Sequence, residues 1–379
     1  MRTRKTRLKP RCATLPAVVR HCGLALLCAL FATAPAFAQS LAAAAVSIHD
    51  AGNPRGVLPG WNLAIGGDWP TQCPPVLQSV TLDGNDLRID ARSVLDLCAR
   101  QPTAFSIEVN PTLALERLAL APGVYKVGFY AAEGVQAQPK LRAFALVDHS
   151  LPGAPSIVPE TGFWWSAGAD PTVLSMELQG GQLSVALLSY DADGQPAWLF
   201  GSAAFDGRIA HLPLLRLAGG SDPFAKSTAT PHGDAAMTLD LQFSASAHAQ
   251  AWLSRSRGDD GSLQLRALDL SRLPLAASTD GSAWQGDWVL VSDAQGAMPQ
   301  RLRLDRSQGP DTQHIRIASA DGSATLDCDA GSAQAAWPPR ACTLQLADGS
   351  IDRFDSVAVT RMDGTDANGA AVHLLRIKP

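Results

Sequence analysis

Catalytic frames are what this sequence most plainly lacks. It contains no G-x-S-x-G, H-E-x-x-H, G-x-x-x-x-G-K or G-x-G-x-x-G, and so no local frame for a nucleophile, a zinc pair or a nucleotide phosphate. Beyond residue 38 the histidines are His49, His149, His211, His232, His248, His314 and His373, and none has a second ligand at metal spacing. A triad drawn from distant residues would leave no such trace, because triads are recognised by geometry. Lysine is scarce as well: only Lys126, Lys140, Lys226 and Lys378 follow residue 38, so the basic stripe that nucleic acid requires is missing. No catalytic residue, no cofactor, no metal site and no nucleic-acid partner is expected. Long apolar runs are absent too, so no membrane insertion of the mature chain is expected.

What is present begins with an export signal. Arg2, Arg4, Lys5, Arg7, Lys9, Arg11 and Arg20 form a basic region without an acid, Gly23 to Ala32 is a short apolar core, and Ala36-Phe37-Ala38 has the small-x-small form of a cleavage site. Residues 1–38 read as a signal peptide, which predicts a periplasmic or extracellular bacterial protein. Leu26-Leu27 before Cys28 is unlike a lipoprotein signal. The leader carries 7 of the 31 Lys and Arg and none of the 35 Asp and Glu, so the mature chain holds 24 against 35, a net charge of −11.

The leader also removes Cys12, Cys22 and Cys28, leaving Cys73, Cys98, Cys328 and Cys342. Four cysteines allow three pairings; two sequence-local pairs, Cys73 with Cys98 and Cys328 with Cys342, are the expected structural disulfides in an oxidising compartment. Zinc would want C-x-x-C spacing, which is absent.

The most informative stretch is Gly162 to Gly201. A two-residue loop at Gly180-Gly181 pairs Leu178 with Leu183, Met176 with Val185 and Leu174 with Leu187 on one apolar face. Taking Asp191-Ala192-Asp193-Gly194 as the next loop sets Tyr190 opposite Gln195 and Trp198 opposite Leu187, which places Trp198 and Phe200 on that same apolar face. Asp191 and Asp193 suit a tight loop better than a calcium site, whose later ligands are missing. Alternating runs separated by turn signals continue on both sides. The prediction is an all-β chain of three tandem antiparallel domains: a small sandwich at 39–150, a β domain of seven or eight strands at 156–275, and a meander of six or so strands at 280–379, the last two being barrels or sandwiches.

Two resemblances accompany this reading. Gly60-Trp61, Trp69-Pro70, Cys73, Cys98 and Leu120-Ala-Pro-Gly-Val-Tyr125 resemble an immunoglobulin-like module of exported proteobacterial proteins, which implies a fold and no function. Gly162-x-Trp164-Trp165 followed by Tyr190-Asp-x-Asp-Gly-x-Pro196-x-Trp198 resembles a module of exported proteobacterial proteins without settled function, often present in several copies. One clear copy is visible here, and Asp170-Pro171-Thr172 stands where that module is Gly-rich.

With aromatics at only 6% of the chain, the tryptophans are the residues that can form a ligand surface. Trp164 and Trp165 are adjacent in a strand and must point to opposite faces, so one shares the core and the other lies outside or at an edge, where it either stacks on a sugar ring, anchors a protein partner or is covered by a neighbouring domain. The sequence therefore predicts a secreted or periplasmic, non-enzymatic binding or structural protein that contacts a glycan or a cell-envelope protein through exposed tryptophan. The alternatives are an envelope hydrolase whose carboxylates are far apart in sequence, and an inhibitor or assembly factor.

Overall fold

The computed structural model describes residues 46–52, 61–117, 119–152, 154, 156–166, 172–191, 193–220, 224, 230, 232–257, 261–273, 281–311, 314–329 and 339–378. The expected signal peptide, most of the connection 219–231 and Trp337 lie outside the described residues. Every extended element is a β-strand, and among the described residues no helix is long and apolar enough to cross a bilayer.

The first set of strands forms two sheets. β1 (Ser47–Gly52), β2 (Asn62–Trp69) and β5 (Thr103–Val109) make one; β3 (Val76–Asp83), β4 (Asp86–Arg92), β6 (Val124–Ala132) and β7 (Lys140–Asp148) make the other. Strand alternation sends Leu63, Ile65 and Trp69 from one sheet and Leu87, Ile89, Val127 and Phe129 from the other into a shared core. The expectation of a purely antiparallel sandwich needs correction, because β4 and β6 run parallel. After β4 the chain crosses to the opposite sheet as β5 and returns, so β6 enters in the direction of β4. The Cys73–Cys98 disulfide ties the segment before β3 to the segment after β4.

The second set is a closed eight-stranded barrel: β8 (Gly162–Ser166), β9 (Val173–Gln179), β10 (Gln182–Tyr190), β11 (Pro196–Ala204), β12 (Ile209–Ala218), β13 (His232–Ala245), β14 (His248–Arg257) and β15 (Ser262–Arg272). Each strand pairs with the next, and β15 returns to β8. Gly180 and Gly181, with φ of 54° and 78°, make the tight loop that fixes Leu178 opposite Leu183 and Leu174 opposite Leu187. The following hairpin differs from expectation by one residue. Tyr190 faces Pro196, so Leu187 faces Leu199 and Leu188 faces Trp198. The Asp191 carboxylate accepts the N–H groups of Asp193 (3.0 Å) and Gln195 (2.9 Å), which organises a five-residue loop in place of a four-residue one. Since strand side chains alternate, that single residue turns Trp198 and Phe200 outward and brings Ala197 and Leu199 inside.

The third set is a nine-stranded sheet, where about six strands were expected: β16 (Gly286–Ser292), β17 (Gln300–Leu304), β18 (Arg306–Asp311), β19 (His314–Ala318), β20 (Ala324–Asp329), β21 (Cys342–Leu346), β22 (Ile351–Val357), β23 (Arg361–Thr365) and β24 (Ala371–Lys378). The two edge strands, β17 and β18, are separated only by Asp305, so one bent segment pairs with β16 by its first half and with β19 by its second. The sheet thereby curls into a second barrel-like meander. The Asp321-Gly322 hairpin pairs Ile317 with Leu326 and Ile315 with Cys328, and Cys328 is bonded across to Cys342 on β21 inside the core.

Both barrels are closed by the same device. Gly162-Phe163-Trp164 opens the first and Gly286-Asp287-Trp288 the second, with glycine φ of 118° and 135°. Both tryptophans are fully buried, and each indole Nε1–H donates to the carbonyl four residues back: Trp164 to Glu160 at 3.0 Å, Trp288 to Trp284 at 2.8 Å. Each tryptophan faces an arginine at the end of the last strand, Arg272 or Arg376. Each arginine donates to the carbonyl just before the glycine, Arg272 to Thr161 (2.8 Å) and Arg376 to Gln285 (2.6 Å). The joint between the barrels lies beside these closures: the Glu160 carboxylate accepts the Thr360 N–H and Oγ1–H, both at 2.6 Å, and the Ser246 N–H bonds Ser356 Oγ at 2.9 Å.

Candidate functional site

The nearest approach to a catalytic constellation is Ser356, Asp363 and His373, which sit side by side on β22, β23 and β24. The order of the groups is wrong for nucleophilic catalysis. Asp363 occupies the middle, its Oδ1 2.6 Å from His373 Nδ1, while His373 Nε2 turns toward Asp293 at 4.0 Å and the Ser356 hydroxyl bonds Ser246 Oγ at 3.1 Å. The imidazole cannot take the serine proton with a carboxylate between them. A second pair, His211 Nδ1 and Asp240 Oδ1 at 2.7 Å, lies on the outer face of the first barrel. There β7 packs against β12, β13 and β15, and Phe144 contacts Trp252. Burial raises the Asp240 carboxyl, and the hydrogen bond to Asp240 raises the His211 imidazole. Among the described residues no cluster of three or more His, Cys, Asp or Glu could hold a metal ion.

The two tryptophans singled out from the sequence part company. Trp164 faces inward, edge-on to Phe243 at 5.7 Å between ring centroids, and is no ligand contact. Trp165 faces outward and is 40% exposed. It does not stand alone. The pairings Trp165–Val173, Val173–Leu188 and Leu188–Trp198 run straight across β8, β9, β10 and β11, so four apolar side chains form one outward row. The next row runs Phe163, Ser175, Ala186, Phe200 and Leu215. Trp198 is 70% exposed and Leu217, beyond Leu215 on β12, is 60% exposed. At about 4.8 Å per strand, the two outward tryptophans stand roughly 14 Å apart along an apolar stripe.

At one mouth of the same barrel is an open pocket of about 660 Å³. Trp164, Phe205 and Phe243 fill the end nearer the second barrel, with ring centroids 5.7 and 5.3 Å apart. The opposite end is lined by Ser189, Ala197, Leu199, Met237 and Leu253, and Arg216, Arg255 and Arg266 stand at its rim together with Asp191, Asp193 and Asp234. Sequence alternation could have found the inward positions, but not which of them share a level.

The first barrel thus carries an apolar outer stripe and, at one mouth, a pocket whose rim mixes arginines with aspartates. No protein-family model matches the chain, and no curated protein matches it at a significant level.

Proposed function

We propose that the protein is an exported, non-enzymatic binding module, and that the first barrel docks a cell-envelope protein through the stripe of Phe163, Trp165, Leu188, Trp198 and Phe200. The observation that carries this reading is the outward Trp165–Val173–Leu188–Trp198 row, left exposed while β7 covers the other outer face of the barrel. Exposed contiguous apolar surface of this kind marks interaction sites, and buried aromatic anchors dominate protein interfaces. A protein partner fits better than a glycan. A sugar site needs polar groups beside its aromatic platform to bond the hydroxyls, and the neighbours here are Val173, Leu188, Ala186 and Leu215, with Ser175 as the one polar residue in the two rows. Asp191, Asp193 and Asp234 stand among Arg216, Arg255 and Arg266 on that end of the barrel, which therefore offers no basic excess to an anionic membrane surface.

The test is a photo-crosslinking amino acid placed at Trp198 in intact cells, with Gln250 on β14 as the control position. One protein captured at Trp198, absent at Gln250 and lost when Trp165→Ser is added, supports the reading. A polysaccharide that binds purified protein and is lost in Trp165→Ser would replace the protein partner with a glycan. Turnover of a polysaccharide or peptide, abolished by one carboxylate or histidine substitution, would replace both with the hydrolase.

A further inference from the structure

Closure removes the free edges of the first barrel, and the segment shared by β17 and β18 does the same for the second. The sandwich keeps its edges. On one side β7 packs against β1 and β15. On the other, β3 is the outermost strand of its sheet, and among the described residues it pairs with β4 alone. An unpaired edge presents a row of backbone N–H and C=O groups to any strand that fits, and proteins ordinarily blunt it with lysine, proline or an inward-pointing charge. Residues 76–82 of β3 contain none of these. A bulge at Gln78 interrupts the start of the strand, which leaves residues 79–83 as a regular edge.

Which backbone groups face outward follows from the hairpin. Gly84 and Asn85 form a two-residue loop, Gly84 with φ of 56°, so the closing pair Asp83–Asp86 is a hydrogen-bonded one. Bonded and non-bonded pairs then alternate, so Ser79 and Thr81 direct their backbone groups to β4 while Val80 and Leu82 turn theirs to the open side. The side chains of Val80 and Leu82 pack against the sandwich core, and those of Ser79 and Thr81 are exposed on the outer face.

This pattern is its own complement. When a second copy runs antiparallel with Thr81 opposite Thr81, Val80 of each copy faces Leu82 of the other. Both residues have outward backbone groups, so each such pair exchanges both of its hydrogen bonds, and their inward side chains carry the core across the junction. Asp83 meets Ser79, and no acid stands directly opposite an acid. The charges beside β3 are answered within each copy, Arg88 by Asp90 at 2.8 Å and Lys126 by Asp86. A slip of one residue sets the outward groups against residues that point away, and a slip of two runs the pairing into the Gln78 bulge or the Gly84 loop. A single register fits.

We infer that two copies of the chain associate through β3, antiparallel about Thr81, and join their four-stranded sheets into one. This contact is separate from the stripe on the first barrel.

The experiment is light scattering of the intact exported chain over a dilution series, with charge variants at the axis. The wild type should show the mass of two copies when concentrated and of one when dilute. Thr81 is exposed on the outer face, so Thr81→Lys and Thr81→Glu should keep the thermal transition, while each sets like charges directly opposite and should stay monomeric. Mixed in equal amounts, they should pair again as one of each. Thr81→Cys adds a covalent readout: opposed residues of a non-bonded pair stand about 4.5 Å apart, within disulfide reach, whereas the two Ser79 positions lie roughly 14 Å apart. Oxidation should therefore link Thr81→Cys and not Ser79→Cys. A wild type that is monomeric at every concentration would overturn the inference. So would a dimer that survives both charge variants or is lost in Trp198→Ser instead, which would move self-association to the stripe. A photo-crosslinker at Thr81 that captures another protein in cells and never the chain itself would assign the edge to a foreign strand and overturn it as well.

Discussion

Replacing Trp164 by Phe should weaken the first barrel about as much as replacing Trp288 by Phe weakens the second. The two indoles are equally buried, donate to a carbonyl four residues back at 3.0 and 2.8 Å, and face an arginine on the last strand. Losing the N–H removes a buried hydrogen bond and leaves a carbonyl without that donor, about 1–3 kcal/mol. The smaller ring leaves a void in a packed core, for about 1 kcal/mol more. Each variant should therefore lose about 2–4 kcal/mol. Unfolding of a chain with several sheets need not be two-state, so the readout is native-state hydrogen exchange of amides on β8 and β15 against those on β16 and β24. Each substitution should lower protection chiefly in its own barrel. The double variant should depart from additivity by about 0.5 kcal/mol or more, because Glu160, whose carbonyl serves Trp164, bonds Thr360, next but one to Ala358, whose carbonyl accepts the Trp284 indole. A loss below about 0.5 kcal/mol in either single variant would show that the two closures are not equivalent, and the argument from shared geometry would fail.

Two further outcomes follow from the charges and the disulfides. The hydrogen bond to Asp240 raises the His211 imidazole, so the folded chain holds that proton more tightly than the unfolded one; the stabilisation is complete below the unfolded value of about 6.5 and is lost as pH rises through the higher folded value. With the His211 side chain 64% exposed the effect is about 1 kcal/mol, read as a fall in denaturation midpoint from about pH 6 into the alkaline range that Asp240→Asn abolishes; a midpoint flat over that range in the wild type would refute it. Cys73 and Cys98 are partly exposed whereas Cys328 and Cys342 are buried, so mild reduction followed by alkylation and mass spectrometry should label the first pair while the second stays protected until its barrel unfolds. Simultaneous labelling of all four would count against that placement.

Much of the architecture could be read from residues whose reach is short. Gly180-Gly181 admits one tight loop, and Asp321-Gly322 another, so the pairings of Leu178 with Leu183 and of Ile317 with Leu326 followed from counting outward. What local counting could not reach was closure. Nothing in the alternation of β15 says that it returns to β8, or that Asp305 bends one segment across both edges of the last sheet. The parallel β4–β6 pair escaped for the same reason, since it depends on where the intervening strand goes and not on its own pattern. The second closure escaped because its evident tokens are only a glycine, a tryptophan and a distant arginine; their equivalence lies in a register between first and last strands.

The two candidate surfaces were misread together, and from one cause. With a four-residue loop between β10 and β11, Trp198 and Phe200 would point into the bore beside Leu187, filling it, and the outer face would show Ala197, Leu199 and Gly201. The Asp191 carboxylate instead holds the N–H groups of Asp193 and Gln195 in a five-residue loop, and the strand arrives half a period later. The large aromatics then cover the outside, where they widen the apolar stripe. The small and slender residues line the inside, where they leave the pocket. Stripe and pocket are thus two faces of a single register, and a change that moved β11 by one residue would abolish both at once.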